Sequence, residues 1–116
     1  MIEMIVKDHL GASLDVPVWM EHQENEPERF VLIEKTSGGM KNHIASATIA
    51  VQSYAASMHD AAKINEEAKL KMFCLPEREE VSGVRLMSDY NFTDTQTKRY
   101  RYQAVFTIFY KEGKNE

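Results

Sequence analysis

Four histidines, His9, His22, His43 and His59, and a single cysteine, Cys74, are the side chains best suited to ligate a metal or attack a substrate. A zinc site recruits Cys and His ligands in closely spaced pairs. These histidines match no such pattern and one cysteine cannot complete it, so structural or surface roles are expected for all four. Cys74 falls near the last turn of an expected helix, where the dipole disfavours a thiolate. An inert, partly buried thiol is expected there. Asp89-Tyr90-Asn91-Phe92-Thr93-Asp94 opens like a calcium loop. However, the sixth loop position, which needs glycine, is Asp94, and the twelfth, which needs glutamate, is Tyr100. Asp94 suits an Asx-type turn instead. Ser37-Gly38-Gly39 lacks the lysine and following helix of a phosphate loop and reads as a turn.

Lys98-Arg99-Tyr100-Arg101-Tyr102 interleaves cations and aromatics, as a platform for single-stranded nucleic acid does. In a strand, alternate residues face opposite sides, so these cations and rings cannot line one groove. The expectation is tyrosines in the core and Arg99 and Arg101 on the outer face. There a row of arginines suits carboxylates of a neighbouring subunit. A salt-dependent nucleic-acid binder through Lys98, Arg99 and Arg101 remains an alternative. Another is a small ligand-binding or enzymatic domain using a cleft between helix and sheet. No catalytic residue, cofactor or metal is expected.

The elements that position these residues follow from apolar spacing. Val84, Leu86, Tyr90 and Phe92 alternate with Arg85, Asp89 and Asn91. Past a polar turn, Tyr100, Tyr102, Ala104, Phe106, Ile108 and Tyr110 alternate with Arg99, Arg101, Gln103 and Thr107. Period two predicts a long hairpin with one buried face, the nucleus of a sheet. Upstream, Ile2, Ile5, Val6, His9, Leu10 and Leu14 recur at helical steps. Residues 16–20 read as a short strand that Pro17 confines to an edge. The stretch 21–29 holds no apolar side chain and reads as a mobile acidic loop. Phe30 begins a strand whose continuous apolar run implies burial on both faces. A turn at 37–42, with glycines supplying positive φ, leads into a strand over 43–54. Ser57 is a good N-cap, with Asp60 in the first turn. Met58, Ala61, Ile64, Asn65, Ala68, Met72 and Leu75 form the stripe of a helix that Pro76 stops. The prediction is an α+β domain in the order α-β-β-β-α-β-β. Its mainly antiparallel sheet has about five strands, and both helices pack on one face.

At 116 residues the chain is one domain, 1–116, with 111–116 expected to be a disordered tail. A formal charge of −4 disfavours unspecific binding to nucleic acid. One cysteine excludes an internal disulfide. The first residues read as neither a signal peptide nor a membrane span, so synthesis in the cytoplasm is expected.

Four stretches together carry a likeness. They are Phe30-Val31-Leu32-Ile33-Glu34-Lys35-Thr36, Ile49-Ala50-Val51-Gln52-Ser53-Tyr54-Ala55, Ser88-Asp89-Tyr90-Asn91-Phe92-Thr93-Asp94 and Arg99-Tyr100-Arg101-Tyr102-Gln103-Ala104. In this order the chain resembles, over nearly its whole length, the tail terminator (tail completion) proteins of long-tailed, siphovirus-type bacteriophages and prophages in Gram-positive bacteria. Head–tail connector and neck proteins of the same virion region share this size and composition and stay open as the alternative. The resemblance implies a non-enzymatic structural protein of the virion tail, assembled in the host cytoplasm. It further implies a homo-oligomeric ring, usually of six subunits, that caps the tail tube and joins it to the head. Its partners would be other copies, the tail tube protein and head–tail connector proteins, with DNA only passing through. A negative charge suits such a channel. On this view the loop carrying Glu24, Glu26 and Glu28 and the turn carrying Gly38, Gly39 and Met40 order on assembly. Trp19 and Met20 anchor a subunit contact, and Arg99 and Arg101 face it.

Overall fold

The structure, a computed structural model, describes residues 1–97 and 99–111. The chain runs α1 (Ile2–Ser13), β1 (Val18–Trp19), β2 (Phe30–Lys41), β3 (Ile44–Ala55), α2 (Met58–Phe73), β4 (Val81–Asn91) and β5 (Tyr100–Lys111). A single 3-10 turn at Leu75–Glu77 links α2 to β4. This is the α+β order read from the sequence. The sheet is mixed, in the order β1-β2-β3-β5-β4. Among the described residues, only β1 and β2 pair in parallel. β1 lies at the edge, where the Pro17 carbonyl accepts from the Val31 N–H at 2.9 Å.

The helices share one core on one face of the sheet. Ser57 Oγ caps α2 by accepting from the Asp60 N–H at 3.1 Å. Ala61, Ile64, Ala68 and Met72 of α2 are buried against Val31, Ile33, Ile49, Val51, Phe106 and Ile108. Ile2, Val6 and Leu10 of α1 complete that cluster. His9 joins the helices: Nε2 donates to the Lys71 carbonyl at 2.7 Å, and Nδ1 accepts from Arg78 Nε at 3.0 Å. Those partners select the Nε2–H tautomer and make this histidine structural.

The sheet outreaches its helical cover. Twelve-residue strands at about 3.3 Å per residue span about 40 Å, close to the 44 Å long axis of the molecule. The sixteen residues of α2, at about 1.5 Å each, span about 24 Å. The far end of the β2–β3 hairpin therefore lies beyond α2, with β5 paired alongside β3 as far as Ile44, and Met40 and Ile44 at its tip are 58% and 48% exposed.

The structure corrects four expectations. Ser37-Gly38-Gly39 is not a turn: β2 continues through it, paired with β3. Among the described residues no glycine has positive φ, and Asn42 and His43 make the reversal at φ 53° and 68°. Cross-strand pairing with an equally long partner outweighs the poor strand propensity of two glycines. Second, the alternation in β4 breaks at a bulge between Leu86 and Ser88. The extra residue, Met87, inverts the faces. Val84 and Leu86 pack on the core, whereas Tyr90 and Phe92 turn to the other side and are 40% and 42% exposed. Asp89, expected outside, faces α2 and accepts from Asn65 Nδ2 at 2.7 Å and Lys69 Nζ at 2.5 Å. Third, Cys74 is exposed rather than partly buried. Fourth, Lys111 ends β5 opposite Ile44 instead of opening a tail. The rest of the expected tail, 112–116, and Lys98 lie outside the described residues.

Candidate functional site

The face of the sheet away from the helices carries a second, smaller cluster. Phe30 opens β2 directly opposite Tyr54 near the end of β3. Their rings stack at 4.5 Å, 10° from parallel, and both are buried. Trp19, on β1, leans on Phe30 at 5.4 Å. The β5 register sets Arg101 beside Tyr54. There it donates from Nη1 to the Tyr54 hydroxyl at 2.9 Å and from Nε to the Phe92 carbonyl at 2.9 Å. Its guanidinium lies 4.2 Å from the Phe92 ring centroid. Arg99 lies over both stacked rings, 5.0 Å from Tyr54 and 5.3 Å from Phe30. Cation–π contact with two faces at once favours a planar guanidinium.

The loop between β1 and β2 closes over these rings through Glu26. Its Oε1 accepts from Arg99 Nη2 at 2.9 Å. Its Oε2 accepts from His22 Nδ1 at 2.7 Å and from the Gln23 N–H at 2.8 Å. The His22 ring stands edge-on to Phe30 and Tyr54. Burial pushes the Glu26 carboxyl up, but the bonds from Arg99, Gln23 and His22 outweigh it and hold the pKa below the usual carboxylate range. Further along the same face, Gln52 Nε2 donates to Gln103 Oε1 at 2.7 Å, and Gln103 Nε2 donates to the Tyr90 hydroxyl. The arrangement is a clamp, because its charged and polar groups satisfy one another.

Beside the clamp, a depression of about 420 Å³ is bounded by Glu24, Glu26, Glu28, Tyr54 and Arg99. Among the described residues, no group of three His, Cys, Asp or Glu side chains is placed to hold a metal ion. Asp94 behaves as an Asx-turn residue: Oδ1 accepts from the Gln96 N–H at 3.0 Å. That bond, then those from Thr97, lower its pKa. No helix among the described residues is long and apolar enough to cross a membrane.

The structure gathers Trp19, Glu26, Arg99 and Arg101 into one cluster. Glu24 and Glu28 stand at its rim, and Met20 is 41% exposed just beyond Trp19. Gly38, Gly39 and Met40 lie elsewhere, at the far end of β2. Sequence reasoning missed His22, Phe30, Tyr54 and Phe92 as parts of the cluster. The four-residue spacing of His22 and Glu26 was the available local signal, whereas the meeting of Phe30 with Tyr54 depends on hairpin register. Compared with protein-family models and with curated proteins, the chain matches none.

Proposed function

We propose that this chain is a non-enzymatic assembly protein of a long-tailed phage or prophage: a tail terminator whose copies form a ring that caps the tail tube and joins tail to head. One observation carries this reading. The four stretches in which the sequence resembles tail terminators meet in space, supplying Phe30, Tyr54, Phe92, Arg99 and Arg101 to the same outer-face cluster. The likeness therefore concerns a single surface and the strands that build it. The exposed Met40 and Ile44 at the β2–β3 tip and the acidic rim of Glu24 and Glu28 are features suited to contacts between subunits. The net charge of −4 suits a channel through which DNA slides without adhering. Further copies of the chain, the tail tube protein and head–tail connector proteins are the partners under this reading, with the virion tail as its location.

Native mass spectrometry at high concentration, together with co-sedimentation on tail tubes, tests the reading. Oligomers or tube binding are expected. A strict monomer that ignores tubes overturns it, and binding to head connectors without tubes transfers the chain to the neck proteins.

A further inference from the structure

The sheet ends in two edges that differ from each other and fit each other. On β2, β1 pairs only with Val31 and Leu32. From Ile33 to Lys41, the outer side of β2 carries no strand among the described residues. β4 has β5 on one side and, among the described residues, no strand on the other. An unpaired row of backbone donors and acceptors is a template for a further strand. Three successive antiparallel pairings, β2 with β3, β3 with β5 and β5 with β4, make β2 and β4 run in opposite directions. Copies placed side by side with their sheets continuing would bring β2 of one against β4 of the next in antiparallel orientation.

The match extends to register. β2 is interrupted by one bulge, between Lys35 and Ser37, and β4 by two, between Leu86 and Ser88 and, near its start, between Val81 and Gly83. One extra residue inverts the alternation of faces, so unmatched bulges would set core-facing side chains against outer-facing ones. With Lys35 opposite Asp89 and Gly38 opposite Leu86, the Lys35–Ser37 and Leu86–Ser88 bulges face each other and the faces stay in step on both sides. Gly39 then meets Arg85, and Met40 meets Val84. The Lys35 side chain, which within one copy folds over Gly38, would swing out to join Lys69 on the Asp89 carboxylate and so clear Gly38 for Leu86, while Met40, 58% exposed, covers the half-buried Val84. A two-residue slip that sets Lys35 opposite Met87 loses the charge pair and draws the Val81–Gly83 bulge into the pairing, setting Lys41 against core-facing Val81; in the register chosen that bulge lies beyond Lys41.

We propose that copies of this chain associate head to tail through antiparallel pairing of β2 with the β4 strand of the next copy, with Lys35 opposite Asp89. The inference rests on the assembly reading above and names its surface. A heterologous contact of this kind closes into a ring when its rotation allows, and it leaves no internal copy with an open edge.

Disulfide trapping tests it in the full chain. In a Cys74→Ser background, Gly39→Cys and Arg85→Cys are combined and the protein is oxidised at high concentration. A β-carbon at Gly39 would meet only Ser46 Oγ, at 3.6 Å, so the change fits. Within one chain the two positions are separated by β3 and β5, about 14 Å across the sheet, so they cannot bridge internally. Expected on a non-reducing gel is a ladder of dimers, trimers and higher species. Each single-cysteine variant should stay monomeric, and Lys35→Asp should cut the yield several-fold without lowering Tm. Dimers from either single variant would indicate two-fold pairing of like edges and overturn the proposal, as would a double variant that stays monomeric. Native mass spectrometry of the same samples separates the two failures. Oligomers without a ladder discard this interface and leave the assembly reading standing, whereas monomers that also ignore tail tubes discard both.

Discussion

At Asn42 and His43 two successive residues hold left-handed backbone, φ 53° and 68°. Asparagine tolerates this conformation better than histidine, for which the β-carbon makes it cost roughly 1–2 kcal/mol. His43→Gly should therefore stabilise the fold by about 0.5–1 kcal/mol, the relief being partly offset by the entropy of a freer unfolded chain. A urea midpoint shifted upward at unchanged slope is the expected result; a downward shift would mean the turn holds His43 for another reason. Glu26 makes a prediction about pH. Its folded pKa lies below the ordinary 4.5, so the unfolded chain binds the proton first. Its contribution is full above the ordinary value and is lost as pH falls through the lowered folded value. Glu26→Gln should flatten the acid limb of the stability profile in that window and leave neutral-to-alkaline behaviour parallel to the parent. Thermal melts across an acid series would show it.

Among the elements, α2 shows how local and long-range signals agree. Its cap, stripe and stop were all legible in sequence, because each depends on residues within a few positions. Ser57→Ala removes the acceptor for the Asp60 N–H and should cost about 1 kcal/mol in a denaturant titration. Ala68, 1% exposed, sits where the helix approaches the sheet. Ala68→Leu should destabilise by about 1–3 kcal/mol through overpacking; a neutral result would mean a looser helix–sheet interface than the burial implies. The strands were harder to read. Alternation was right for β5 and for Val84 and Leu86 of β4, but it failed at Tyr90 and Phe92, where the bulge at Met87 changed the parity. A bulge satisfies the partner strand, and nothing near Met87 in the chain announces it. The glycines at 38 and 39 misled in the same way: locally they resemble a turn, and only pairing with Ala47 and Ser46 makes them strand.

For the whole molecule, stability and assembly should separate. Phe106 is 0% exposed between sheet and helices, and Phe106→Ala should cost about 3–5 kcal/mol. Glu24 is exposed at the rim of the clamp, so Glu24→Ala should leave the melting temperature unchanged. Paired melts check this; a glutamate change worse than the phenylalanine change would reverse the assignment of core and rim. By itself the sequence determined the α+β class, the order of elements, the capped amphipathic helix and the aromatic face of β5. Each of these is written in spacing that a strand or helix imposes on its own residues. The tertiary structure alone decided that Glu26 reaches Arg99 across the fold, that Phe30 stacks on Tyr54, and that Tyr90 and Phe92 leave the core. It also decided where bulges interrupt the outer strands, between Lys35 and Ser37 in β2 and between Leu86 and Ser88 in β4. Those outcomes depend on register between distant strands, and register is fixed by pairing that no local period encodes.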